Sequence, residues 1–302
     1  MSKFIIKIVL FSSFLIVSFL WVLSKADGFT DPFYLRFTSP RQSSLILGTS
    51  RAAQDINPKI LNQLLFKDIY NYAFTVAHSP YGPTYLKSIK KKIDTNTTDG
   101  VFIVTIDPWS ISSWTPKPND SLSFRELERC LGNTNFVNMN PNFFYLIHNW
   151  QEKYINILTE KDSISFLHSD GWLEITIDMD SLKVNNRLEI KEKEYREDYF
   201  IQAKFSKLRL QYLIKTIRFL YDYGDVYLVR LPIHPKIMEV ENDFMPDFNI
   251  KIKDAVSMSS GYLDLSSMNN EFIYTDGNHL YKDSGIRVSE LIGQWILNQK
   301  QK

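Results

Sequence analysis

Two short segments carry residue types suited to acyl chemistry. The first, Gly48-Thr49-Ser50-Arg51, directly follows the apolar run Ser44–Leu47. A serine at a strand-to-helix turn sits at the mouth of a site, and its own N–H with those that follow can stabilise an oxyanion. Gly48 relieves crowding at such a turn. The plainer role is that Ser50 caps the next helix, or that the loop and Arg51 hold an anion. The second segment runs Tyr274-Thr275-Asp276-Gly277-Asn278-His279. On one helical turn Asp276 and His279 share a face, so the carboxylate can orient the imidazole through its Nδ1–H. Here the plainer alternative is a surface histidine capped by an aspartate.

For these side chains to meet, the chain between them must bring both to one edge. After residues 27–43, which read as a linker, β and α signals alternate. Ser44–Leu47, Ile69–Phe74, Gly100–Ile106, Val226–Leu231 and Gly261–Leu265 read as strands, and Gly100–Ile106 is the continuous β-branched run of a strand buried on both faces. Helical signals cover Pro58–Leu65, Thr84–Ile93, Asp198–Tyr223 (ended by Gly224) and Tyr281–Asn298. Strands separated by helices imply parallel pairing through crossovers, hence an open α/β sheet. The alternation fails between Trp109 and Arg196, where a helix over Asn142–Thr159 and antiparallel strands within Ile164–Ile190 are expected. Residues 110–196 therefore read as an insertion over the sheet within one domain, 44–300. Sites in open α/β sheets form beyond the carboxyl ends of the strands, where both reactive segments fall.

Taken together, the two segments resemble the end blocks of the SGNH (GDSL-like) hydrolase superfamily, and within it the membrane-anchored members associated with acylation of cell-surface polymers. Those proteins carry G-[DTNS]-S after the first strand and D-x-x-H before the last helix; here these are Gly48-Thr49-Ser50 and Asp276-Gly277-Asn278-His279. The resemblance covers residues 42–107 and 200–298. It implies Ser50 as nucleophile, His279 as base and Asp276 as its orienting partner, on a flavodoxin-like three-layer α/β/α domain. Two middle blocks depart from the pattern. The second offers Asn71, but Ala73 stands where a glycine is common, and Gly82 comes much later. The third, commonly G-x-N-D, reads Ile106-Asp107-Pro108-Trp109, and an ionised Asp107 has no proton to donate to an oxyanion.

Other residues rank below these. His78, in the loop after Ile69–Phe74, lies at the same sheet edge and is a pocket-lining or a structural histidine. Arg230 and His234 flank Pro232 at a strand exit; Arg230 calls for a partner such as Asp107 or a substrate anion, with a structural ion pair the plainer reading. His148 and His168 fall in the insertion without a partner pattern, and the single cysteine, Cys130, has no catalytic signature. Trp109, Trp114 and Trp172 are core residues or platforms for sugar rings. No metalloprotease, P-loop or dinucleotide motif is present, and Asp178 with Asp180 lacks further ligands, so no metal or other cofactor is expected.

The amino terminus bears on compartment. Lys3 and Lys7 precede Ile8–Ser24, a run without charge. Its length favours an uncleaved signal anchor over residues 1–26 rather than a cleaved signal peptide with Ser24-Lys25-Ala26 as its site. A buried core helix fits poorly, because no polar face interrupts the run. The basic flank places the rest of the chain outside the cytoplasm. The 302 residues carry 35 Lys and Arg against 34 Asp and Glu, a balance that argues against nucleic-acid binding. The expected function is a membrane-tethered serine esterase or O-acyltransferase on acylated cell-envelope glycan, working beside a membrane-bound O-acyltransferase partner. The alternative, motivated by Asp107 in place of asparagine, is the same fold acting as a non-catalytic glycan-binding or partner protein in surface polysaccharide assembly.

Overall fold

The computed structural model describes residues 2–159, 161 and 164–300; Met1, the first residue of the expected anchor, lies outside them. Its centre is a five-stranded sheet: β1 (Ser44–Leu47), β2 (Ile69–Asn71), β3 (Gly100–Thr105), β4 (Gly224–Arg230) and β5 (Gly261–Asp264). The order is β2-β1-β3-β4-β5 and every pairing is parallel. Register runs Leu45 to Phe102, Phe102 to Val226 and Leu228 to Tyr262.

Alternation along the strands splits the core in two. Leu45, Leu47, Phe102, Val104, Val226 and Leu228 face one way. Ile46, Val101, Ile103, Tyr227 and Val229 face the other. Both faces are covered by helices, which is why β1 and β3 are apolar without interruption. Among the helices are α1 (Ser2–Leu23), α2 (Ser50–Asp55), α3 (Pro58–Leu65), α4 (Pro83–Lys92), α5 (Phe143–Asn149), α6 (Asn156–Thr159), α7 (Ser181–Glu194), α8 (Lys207–Tyr221), α9 (Pro235–Phe244) and α10 (Lys282–Lys300). Tyr85 and Ile89 of α4 and Leu213, Ile217 and Leu220 of α8 pack on the first face. Ala52 and Ala53 of α2, Leu61 of α3 and Val288, Ile292 and Ile296 of α10 pack on the second. Asn57 caps α3 by accepting from Lys59 N, and Ser206 caps α8 by accepting from Arg209 N.

Three expectations differ from the structure inside the insertion and just after it. The helix expected over Asn142–Thr159 is two short ones, α5 and α6. The Asn149 amide bonds Tyr145 O and Thr134 Oγ1 and draws the chain out of the helix. The antiparallel pair within Ile164–Ile190 is confined to a hairpin of Ser165–Leu167 with Leu173–Ile175; from Ser181 on the chain belongs to α7, started by Asp180, which accepts from Leu182 N and Lys183 N. The long helix expected from Asp198 is broken: residues 198–202 finish the helical run that continues from α7, and a new helix begins at Lys207, capped by Ser206. Gly224 is the first residue of β4. A Cβ there would lie 2.1 Å from Gly100 O, so this glycine permits the close approach of two strands.

Residues 27–43 pack into the domain. Tyr34, Arg36 and Phe37 are buried, and the Arg36 guanidinium donates to Pro32 O, Asn71 O and Gly171 O. The insertion is tied down by a buried pair, Arg209 to Glu126, at 2.8 and 3.0 Å. Helix α1, with its 22 residues spanning about 33 Å, is long and apolar enough to cross a membrane, and only its last residue, Leu23, is buried.

Gly48 has φ +149°, and a Cβ there would meet Thr105 Oγ1 at 1.9 Å. Gly48→Ala is expected to cost about 2–4 kcal/mol through strain and displacement of Thr105. Thermal unfolding of the detergent-solubilised chain checks this, and an unchanged midpoint would contradict it.

Candidate active site

The end of β1 and the loop before α10 converge at the carboxyl edge of the sheet. Gly48 donates to Tyr85 OH at 3.2 Å and accepts from Ser79 Oγ at 2.6 Å, which holds the turn after β1. Ser50 opens α2, whose first-turn N–H groups have no acceptor within the helix. At the other end of α2, the buried Asp55 accepts from Leu280 N at 2.9 Å. The residue beside His279 is thereby fastened to the helix that carries Ser50.

Asp276 and His279 do not lie on a helix, as their spacing suggested. They occupy a tight turn closed by the Tyr274–Leu280 bridge, with Thr275 N donating to His279 O at 2.9 Å. Gly277 makes the turn at φ +87°. One Asp276 oxygen, Oδ1, accepts from Asn278 N and His279 N, each at 2.9 Å. The other, Oδ2, is 3.0 Å from His279 Nδ1. His279 Nε2 lies 2.9 Å from Ser50 Oγ. Burial works against the charge on Asp276, but the adjacent His279 and Lys191 outweigh it and hold the carboxyl well below the usual carboxylate range. A carboxylate bound to Nδ1–H leaves Nε2 as an acceptor, the tautomer that can take the Ser50 proton.

Behind this line lies a buried charge cluster. Arg51 donates from Nε to Asn278 Oδ1 at 2.9 Å, pairs with Glu241 Oε1 at 2.7 Å and lies 3.8 Å from Asp107 Oδ2. Burial opposes the Arg51 charge, yet Glu241, Tyr195 and Asp107 keep it firmly protonated. Tyr195 OH also donates to Asn278 Oδ1, at 2.7 Å. With both donors on Oδ1, the Asn278 amide can face only one way, and its Nδ2 sits 3.0 Å from His279 Nε2. A cavity of about 280 Å³ opens here, with Ser50, His279, Asn278, Asp107, Trp109 and Tyr199 in its wall.

The other expected residues take different places. Asn71 is not a pocket donor: its Nδ2 donates to Ala52 O and Ile56 O, and its Oδ1 accepts from Ala73 N, so it braces α2 against β2. Gly82 is not an oxyanion donor either; it caps α4 beside Glu126 and Arg209. His78 is next to Ala77 of the cavity wall but faces away, packed at a tilt against Phe33 at 4.5 Å and bonded to Thr75 Oγ1 at 2.7 Å. Arg230 pairs with Glu241 at 3.4 Å and lies over the Phe248 ring, not with Asp107 or an open substrate site. Asp107 does line the cavity; burial raises its carboxyl above the usual range, while Arg51 and the Ser110 N–H favour its charge. Trp109 and Trp172 are almost fully buried, so neither is an open sugar platform, and Trp114 is covered by Arg125. Asn278, Tyr195, Glu241 and Lys191 were not singled out from the sequence. Asn278 stood inside the Asp-to-His segment; the others carried no local signal, since their roles come from elements far apart in the chain.

The chain matches no protein-family model and shows no significant similarity to a curated protein. Among the described residues, no group of three or more His, Cys, Asp or Glu is placed to hold a metal ion. What the arrangement can do is transfer a proton from Ser50 to His279 and stabilise the resulting imidazolium with Asp276.

His78 is expected to make the domain acid-sensitive. Burial, then Arg129 and Arg125, lower its pKa to about 4. The unfolded chain protonates this group near 6.5, so the unfolded state binds the extra proton between those values. Its contribution is complete above pH 6.5 and is lost as pH falls toward 4, about 1–2 kcal/mol by pH 5 after allowing for partial exposure. His78→Phe should flatten the fall in stability between pH 7 and pH 5 by that amount in denaturant titrations. An unchanged slope would refute the assignment.

Proposed function

We propose that the chain is a membrane-tethered serine esterase or O-acyltransferase of SGNH type, acting on acylated cell-envelope glycan. The observation that carries the chemistry is the unbroken line Asp276–His279–Ser50, with contacts of 3.0 and 2.9 Å. The strand order, β2-β1-β3-β4-β5, is that of flavodoxin-like domains and supports the family reading. The glycan and the acyltransferase partner come from the resemblance alone. The basic flank before α1 supports an orientation with the domain outside the cytoplasm.

In this reading, Ser50 Oγ attacks the ester carbonyl carbon as its proton passes to His279 Nε2. The tetrahedral intermediate collapses, and the departing alkoxide takes that proton. The acyl group remains as an ester on Ser50. Water or a sugar hydroxyl then attacks, giving its proton to His279, and Ser50 leaves with it. Asp107 cannot supply the oxyanion donor expected at the third strand while ionised. The Ser50 N–H and Asn278 Nδ2 fill that need: the amide is turned toward the reacting side chains by Arg51 and Tyr195. The second reading, a non-catalytic glycan-binding or partner protein, is favoured by Asp107 itself, which serves here as counter-charge to Arg51.

A fluorophosphonate probe should label the solubilised wild-type chain and not Ser50→Ala, with ester turnover reduced by about 10³-fold or more in that variant. An unlabelled wild type, alongside a labelled control hydrolase, would leave the non-catalytic reading. Asn278→Ala is expected to lower kcat by about 10²-fold with little change in KM. Equal kcat in wild type and variant would remove Asn278 from the oxyanion role.

A further inference from the structure

We propose that the base of the domain, centred on Phe144, Ile147, Ile155 and Leu158, rests in the headgroup layer of the membrane that α1 crosses; this builds on the reading of α1 as a membrane span. Helix α1 is not joined to the domain by a tether. Val22 and Leu23 pack in the same core cluster as Tyr154 and Ile157. Its hydrogen bonding continues past Leu23, with Ser24 N donating to Leu20 O at 2.9 Å. The Phe19 and Tyr154 rings meet edge to face at 5.0 Å.

These contacts set the depth of the domain. Phe19 lies four residues before the end of α1, about 6 Å along the helix. A span of about 33 Å leaves little excess over a hydrocarbon core of roughly 30 Å. A side chain packed on Phe19 therefore sits at the membrane boundary, and the segment that carries it sits there too.

The surface around that segment suits the environment. Helices α5 and α6 both contact α1. Phe144 and Ile147 of α5 are 52% and 50% exposed; Ile155, just before α6, is 54% exposed and Leu158 36%. The Phe136 ring, also exposed, packs 5.3 Å from Phe144. Single exposed apolar side chains are ordinary; this group is gathered on two short helices at the one end of the domain where an apolar helix emerges. Lys25 lies over the Trp21 ring at 5.4 Å, the aromatic and cationic pairing favoured at a headgroup boundary. Continuity with α1 makes lipid, rather than a second protein, the occupant.

The test uses the full chain in nanodiscs of phosphatidylcholine and phosphatidylglycerol. Nitroxide labels are placed by Phe144→Cys, Ile147→Cys and Ile155→Cys, with Leu10→Cys in α1 as the lipid reference and the exposed Leu182→Cys in α7 as the water reference. The native Cys130 is buried, and the wild-type chain serves as the unlabelled control. Relaxation by oxygen and by a water-soluble nickel chelate reports the surroundings of each label. The proposal expects an oxygen-to-nickel ratio at 144, 147 and 155 above that at 182 and below that at 10, the intermediate value of the headgroup layer. Lipid-like values at 10 with water-like values at the three base positions would overturn it while leaving the span intact. Water-like values at 10 would overturn the span and the proposal together. Low access to both reagents at the base would mean a covering protein or second copy, and would overturn the lipid assignment.

Discussion

The site depends on α2 being clamped from both ends. Ser50 at its start and Asp55 at its end are the first and last of the six residues of one short helix. Asp55 is fully buried, and its bond to Leu280 N fixes the loop that presents His279. Burial raises its carboxyl well above the usual range, so the bond is made by a group that folding pushes toward neutrality. Asn57 N, just beyond, donates to Ser289 Oγ of α10 at 2.8 Å. A hydroxyl and an imidazole 229 positions apart thus meet because a helix less than two turns long touches both the first strand and the last helix.

Charge behind the site is balanced. Arg51 and Arg230, both nearly buried, face Asp107 and Glu241 beside the cavity, and Glu241 bridges the two guanidiniums. Buried charges persist only when paired and hydrogen-bonded. This accounts for an aspartate just beyond the end of β3: a neutral side chain there would leave Arg51 with less counter-charge. The same arginine spends its Nε on Asn278, so the charge cluster also aims the amide toward His279. In the proposed chemistry, one set of contacts both compensates a buried cation and replaces the donor that the aspartate cannot be.

Buried cations also hold the outlying segments. Arg36 satisfies carbonyls from Pro32, Asn71 and Gly171, joining residues 27–43, β2 and the inserted hairpin. Lys92 donates to Arg36 O, Ser39 O and Val137 O, and burial pushes its pKa well down. Arg36 draws carbonyls from three stretches around itself and Lys92 from two, groups that water would otherwise solvate. This is why a stretch with the composition of a linker is packed, and why α1 meets the domain without slack.

Uninterrupted apolar runs such as Gly100–Thr105 specify the parallel sheet, because they survive only when both faces are covered, and residue type, strand-end placement and the resemblance together pointed to Ser50, Asp276 and His279, which the fold brings into contact. The sequence also marked α1, since a run of that length without charge has no polar face. What Asn71, Gly82, His78, Arg230 and Asp107 do follows from contacts between distant elements. Asn71 bonds the carbonyls of α2 rather than facing the site, and Arg230 answers to Glu241, which lies on another element. Likewise α7 escaped notice because its start rests on the Asp180 cap rather than on an apolar period, with Leu188 its one buried residue. Periodicity records which face of an element is covered. The direction of a polar side chain depends on a partner brought in from a distant part of the chain, and no local pattern encodes that partner.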